Sequence, residues 1–203
     1  ESGLSIVRKN PDIVITLGGD GTFLIAERKY PGVPKLLLRD SNVCRLCTIG
    51  LGEHTMMLLA QGRYSIKEHQ KLGVLVGRKK MWAANDIIIR NSDQRTALRF
   101  VLEGAGKRYE VIGDGIVVAT KPGSTGYFCS ITGHAFSNGF GIAFNNPTEK
   151  RAPQYFAKGG WTLIVERGVA CISADNAREL LYAKAGDTII IKSLNDTVKI
   201  IDF

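Results

Sequence analysis

Asp12-Ile13-Val14-Ile15-Thr16-Leu17-Gly18-Gly19-Asp20-Gly21-Thr22-Phe23-Leu24-Ile25-Ala26-Glu27 is the stretch from which the fold of this chain can be read. A short apolar run that stops abruptly at glycines has the form of a buried parallel strand. The residues after the glycines start a helix capped by Thr22 or Asp20. Strand, glycine loop and helix in that order set Gly18-Gly19-Asp20-Gly21-Thr22 where open α/β sheets bind ligands. The three glycines let the backbone approach phosphate oxygens, and the helix N-terminus adds a favourable field. Asp20 at the centre would repel phosphate unless it holds a bridging metal or takes a proton from an attacking hydroxyl. The plainer alternative is a glycine turn in which Asp20 caps the helix.

Working outward, Lys35-Leu36-Leu37-Leu38 reads as a second buried strand, and residues 53–61 favour a helix that Gly62 stops. Residues 1–70 therefore read as an α/β part carrying a strand-loop-helix. Beyond Lys71 the pattern changes to strand after short strand, mostly every 10 to 15 residues: LGVLV, NDIII, ALRFVL, YEVI, IVVAT, GIAF, WTLIV, ACIS, TIIIK and VKII. That spacing predicts a mainly antiparallel, β-sandwich-like domain over 71–203, with one helix at Asn176-Ala177-Arg178-Glu179-Leu180-Leu181. The seam falls between Gly62 and Gly73, with no flexible linker.

Composition bounds the function. The 203 residues carry 27 Lys and Arg against 19 Asp and Glu, a formal charge of +8, with 44% hydrophobic content, which is ordinary for a globular protein. The basic residues are scattered, so the charge is compatible with polyanionic ligands but marks no nucleic-acid surface. No apolar run approaches the roughly 20 residues of a membrane-spanning helix, and Glu1-Ser2-Gly3 does not begin a signal peptide. The expectation is a cytoplasmic protein without membrane or nucleic-acid partners. Its four cysteines, dispersed apart from Cys44 and Cys47, read as reduced thiols rather than a disulfide framework. Glycine is the outlier, with 23 residues against a usual share of roughly 7%.

Three further features carry chemistry. Gly113-Asp114-Gly115 is a turn leading into a strand, which runs on into Lys121-Pro122-Gly123-Ser124-Thr125-Gly126-Tyr127. Ser124 and Thr125 can bond phosphate or ribose, and Tyr127 can lie against a flat ring. Asn85-Asp86 heads the apolar run Ile87-Ile88-Ile89, so one of the pair points inward. An amide suits an adenine edge and a carboxylate suits a ribose diol.

Taken in order, these motifs resemble the NAD kinase family: a GGDGT loop, an asparagine–acid pair starting a strand, and a GDG turn before a GSTAY-like loop. The resemblance spans about residues 11–201. It implies 2′-phosphorylation of the adenosine ribose of NAD by ATP or polyphosphate. By position it implies Asp20 as the catalytic acid and possible Mg²⁺ or other divalent-cation contact, and Gly18, Gly19, Gly21 and Thr22 as the donor-phosphate cradle. Asn85 would read adenine and Asp86 the ribose, while Asp114, Ser124, Thr125, Gly126 and Tyr127 would line the dinucleotide site. It also implies a homodimer or homotetramer.

The chain departs from the family pattern at several places. Asn85-Asp86 replaces an Asn-Glu pair, Gly126 replaces an alanine, and the proline of the GST loop is displaced to Pro122. Cys44 and Cys47 occupy two glycine positions of an Asn-x-Gly-x-Leu-Gly-Phe stretch, which explains their spacing without a metal. The strand and helix that usually precede GGDGT are missing, so the chain is expected to be a compact member or truncated at its front. Two other readings remain open, a related kinase with a lipid or nucleoside acceptor and a dinucleotide-binding module without catalysis.

Overall fold

A computed structural model describes residues 3–38 and 53–203; residues 42–48, with Cys44 and Cys47, lie outside them. The chain divides into a first unit, residues 1–69 with 196–203, and a second, residues 70–195. The boundary between them falls at His69 and Gln70. The C-terminal eight residues group with the first unit, whereas the sequence reading assigned everything after 70 to the second.

In the first unit, β1 (Val14–Leu17) pairs in parallel with β2 (Lys35–Leu38), and β2 pairs in parallel at Ile200 with β14 (Thr188–Asp202). The run Thr188 to Asp202, which reads in sequence as two strands, is one continuous strand. Between β1 and β2 lies α1 (Asp20–Lys29); α2 (Glu53–Ala60) follows β2. The helix α1 starts two residues earlier than expected. Its N-cap is Gly19 in extended conformation with no side-chain cap, so neither Asp20 nor Thr22 caps it. Asp20 in its first turn and Arg28 and Lys29 in its last complement the helix dipole.

The expectation that β1 is buried is corrected. Ile15 and Leu17 are 43% and 51% exposed, because among the described residues β1 is an edge strand paired with β2 alone. By contrast β2 is buried throughout. Alternation sends Leu36 and Leu38 to a cluster with Leu59 of α2 and Ile201, and Lys35 and Leu37 to the opposite face. There Lys35 Nζ donates to Glu27 of α1 and to the Tyr30 carbonyl, with both charged side chains fully buried.

The second unit is built from two antiparallel sheets. One includes β6 (Leu98–Gly104), β7 (Lys107–Gly113), β11 (Gly160–Arg167) and the first half of β14, along with the β3–β4 hairpin. β3 covers Ser65–Val76, and β4 covers Lys79–Ala83. The other runs in the order β10 (Gln154–Phe156), β9 (Phe140–Asn145), β8 (Gly115–Thr120), β5 (Asp86–Asn91), β12 (Val169–Ala174), β13 (Leu181–Lys184). Residues of both sheets, including Phe100, Leu163, Ile189, Ile87, Ile116 and Ile172, share one apolar core, which makes this unit a sandwich.

The sequence of β8, Gly-Ile-Val-Val-Ala-Thr, is apolar on both faces for a reason. Ile116 and Val118 enter the inter-sheet core, whereas Val117 and Ala119 meet Phe128 and Ile131 of α3 (Tyr127–Thr132). Fully burying Phe128 contributes roughly 1.5–3 kcal/mol. That helix, with the 3-10 turn Pro122–Thr125 before it, occupies a stretch read from sequence as a loop. The helix expected at residues 176–181 does not form. Its place is taken by a turn with Asp175 at φ 49° and an Ala177 N–H bond to the Ala174 carbonyl. Among the described residues no helix is long and apolar enough to cross a membrane.

Candidate functional site

The loop of the first unit follows from its glycines. Gly18 has φ +145°, and a Cβ there would lie 2.5 Å from Thr22 Oγ1, so only glycine allows the strand to turn into α1 at this point. Gly19 and Gly21 have open space where a side chain would be, which leaves their backbone accessible. Asp20, the first residue of α1, is half-buried, and burial pushes its carboxyl above the usual carboxylate range.

In the second unit, Asn85 and Asp86 stand where β5 begins, between β8 and β12. Asp86 is the first residue of β5, and Asn85 lies in the bend just before it. Asn85 is 9% exposed, and its Oδ1 is buried without a hydrogen-bond partner. A buried acceptor left unsatisfied costs about 1–3 kcal/mol, which a ligand N–H can recover. Asp86 shares the face of Ile88, which packs into the cluster with Phe128 and Tyr127. Burial first and the nearby charge of Asp175 second push its carboxyl up to about 7.

The backbone under this pair is held from both sides. Thr120, ending β8, donates its hydroxyl to the Ala84 carbonyl at 2.6 Å and its N–H to the Asn85 carbonyl at 2.8 Å. Its hydroxyl also accepts the Gly123 N–H at 3.2 Å. On the other side, the Asp175 carboxylate accepts the N–H groups of Ala84, Asn85 and Asp86 at 2.7, 2.8 and 3.0 Å. Gly123 approaches so closely that a Cβ on it would lie 2.1 Å from the Asn85 carbonyl oxygen. Gly123→Ala is therefore expected to displace the turn from Asn85. It should cost roughly 1–3 kcal/mol of stability, as read by urea unfolding.

Not every expected residue gathers here. Ser124 is 1% exposed, and its hydroxyl donates to the Lys121 and Phe136 carbonyls, so it ties the turn together. Thr125 Oγ1 donates to the Pro122 carbonyl. Gly113-Asp114-Gly115 is not a hairpin turn but the passage from β7 in one sheet to β8 in the other. Register pairs Gly115 with Arg90 and Ala119 with Asp86, so Asp114 lies at the other end of β5 from Asp86, about 15 Å along the strand. There it accepts from Asn146 Nδ2, and Tyr127 reaches toward the same end, its hydroxyl accepting from Asn145 Nδ2. Thr120, Asn145 and Asp175 went unassigned in sequence. Thr120 and Asn145 end apolar strands, a usable signal; Asp175 carried none.

No family model matches the chain. It is 30% identical over 149 residues to an NAD kinase of Thermomicrobium roseum, covering 68% of this chain and 50% of the relative. With an NAD kinase of Bacteroides fragilis it shares 33% identity over 133 residues, 60% of this chain and 45% of that one. With an NAD kinase of Sulfurimonas denitrificans it shares 27% over 205 residues, 93% of this chain and 71% of the other. The chain thus spans about half the length of the first two relatives. The fold matches yeast NADH kinase in complex with NADH, with TM-score 0.80 and 19% identity over 95% of this chain and 62% of that one. It matches an NAD kinase of Archaeoglobus fulgidus in complex with ATP equally, with TM-score 0.80 and 19% identity over 94% of this chain and 78% of that one. The likeness to the two solved structures shows a shared strand-rich fold over nearly the whole chain, and the sequence likeness places the chain in the NAD kinase family.

Proposed function

We propose that the protein phosphorylates the 2′-hydroxyl of the adenosine ribose of NAD, with ATP or polyphosphate as donor, to give NADP. The observation that carries this reading is Asn85, a buried amide with an unpartnered acceptor beside a buried carboxyl, in a chain whose relatives are NAD kinases. Asn85 would meet the adenine edge and Asp86 the ribose, with Thr125, Gly126 and Tyr127 completing the dinucleotide site and Ser124 supporting their turn. Asp114, at the far end of β5, would meet a more distant part of the dinucleotide.

The chemistry asks for positioning and charge neutralisation more than for a nucleophile on the protein. Gly18 shapes the loop, and Gly19, Gly21 and Thr22 would cradle the donor phosphates at the start of α1. Asp20 would accept the proton as the 2′-oxygen bonds to the terminal phosphorus and the bond to the leaving phosphate breaks. A carboxyl whose proton affinity is raised by burial is suited to that role. One carboxylate among phosphate oxygens also fits a divalent cation such as Mg²⁺, which would neutralise charge on the donor when bound. A cytoplasmic homodimer or homotetramer, with NAD and ATP as its partners, completes the reading.

The test is direct. Purified chain is incubated with NAD or NADH, a divalent cation, and either ATP or polyphosphate, and 2′-phosphorylated product is read with an NADP-specific dehydrogenase. Product that depends on both donor and acceptor is expected. Its absence with every donor and both acceptors would falsify the reading.

A further inference from the structure

Asp175 lies 90 residues from Asn85 in sequence, yet its carboxylate is bonded to the backbone of the Asn85–Asp86 pair. One oxygen accepts from Ala84, and the other accepts from both Asn85 and Asp86. The contact is reciprocal, because the Asp175 N–H donates to the Asp86 carbonyl at 2.9 Å. Asp175 itself sits at φ 49°, a left-handed conformation that Asp and Asn tolerate better than other side chains. A strained backbone position with its carboxylate spent on three consecutive amides is a device for aiming the two side chains those amides carry.

We propose that Asp175 is a positioning residue of the nucleotide site: its carboxylate, bonded to the amides of Ala84, Asn85 and Asp86, sets the direction of the Asn85 and Asp86 side chains and places a negative charge beside the Asp86 carboxyl. This rests on the dinucleotide reading above. The elements around Asp86 supply little opposing charge. The paired stretch of β8 from Gly115 to Ala119 is Gly-Ile-Val-Val-Ala, with Lys121 just beyond its end. β12 contributes Cys171 and then Asp175, and β4 carries Lys79 and Lys80 at its start, the end remote from Ala84. Asp175 is the charge that acts on Asp86, and it disfavours ionisation.

The sign of the consequence is fixed. The Asp86 carboxyl holds its proton to about 7 in the folded protein against 3.8 as its ordinary value. Stability from this group is thus fully present below the ordinary value and is lost as pH rises to about 7. A ribose diol donates to a carboxylate, so binding should strengthen as pH rises through the same region.

Asp175→Asn keeps the left-handed backbone but removes the charge and one accepting oxygen. In ligand-free protein, a carboxyl NMR titration should place the Asp86 midpoint near 7 in wild type and lower it measurably in the variant. The amide signals of Ala84, Asn85 and Asp86 should shift in the variant as well. An unchanged midpoint would overturn the proposal. NAD titrations at pH 6 and pH 8 form the second arm. Wild type should bind more tightly at pH 8, whereas Asp175→Asn should bind about tenfold more weakly at pH 8 with the pH dependence largely gone. Equal affinity and equal pH dependence in both proteins would overturn it too. If Asp175→Asn does not fold, Asp86→Asn serves, because pH-dependent NAD binding persisting there contradicts control by the Asp86 proton. Wild type that binds no NAD refutes the dinucleotide reading instead, and the titration of Asp86 in free protein still judges Asp175.

Discussion

Asp20→Asn is expected to lower NADP formation by about 10²–10⁴-fold while leaving the fold intact. The substitution preserves size and polarity at the first residue of α1, so the helix has no steric reason to move. On the proposed reading it removes the group that would take the proton and contact the cation, and both losses would act on the transition state rather than on donor binding. Stability should change little because two small effects oppose one another. Losing a negative charge from the first helical turn costs about 0.3–1 kcal/mol, and relieving a carboxylate whose ionisation burial already disfavours acts in the opposite direction. The measurements are initial rates of NADP formation and a thermal unfolding curve for each protein. A variant within tenfold of wild type in rate would remove Asp20 from the chemistry.

The second large effect is on stability. Lys35→Met is expected to destabilise the first unit by about 3–5 kcal/mol, because it strands the fully buried Glu27 carboxylate among apolar neighbours. Glu27 keeps its bond from the Gly32 N–H at 3.2 Å, but a neutral amide does not replace the charge of Lys35 beside a buried carboxylate. The double variant Glu27→Leu with Lys35→Met should recover most of that loss, since exchanging a buried ion pair for apolar packing is often neutral. Urea unfolding combined with hydrogen exchange at β2 amides reads both variants. A double variant no more stable than Lys35→Met would mean that the pair contributes shape and hydrogen bonding that apolar side chains cannot replace.

Much of the first unit was legible because its signals are local. Gly18 must adopt a positive φ, and a run of apolar residues on either side of such a glycine announces the strand-to-helix turn. The position of α1 was read two residues late because Asp20 and Thr22 look like helix caps, although the chain uses Gly19 backbone geometry instead. The 3-10 turn and α3 were missed for a propensity reason. Tyr-Phe-Cys-Ser-Ile-Thr is a poor helix sequence, and six residues are too few to form a helix without the packing of Phe128 on Val117 and Ala143.

The amino-acid sequence by itself determined the two regimes of the chain, the glycine-loop geometry at Gly18 to Thr22, the alternating strands of the sandwich, and the family resemblance. Each of these depends on residues within a few positions of one another, where backbone sterics and the two-residue period of a strand act directly. The tertiary structure alone decided which side chains share a site. It set Asp114 at the far end of β5, turned Ser124 inward, joined residues 188–202 into one strand whose end belongs to the first unit, and brought Asp175 under Asn85 and Asp86. Those outcomes follow from strand register and from burial across about 90 residues of chain, and a carboxylate bonded to distant backbone amides leaves no periodic mark in sequence.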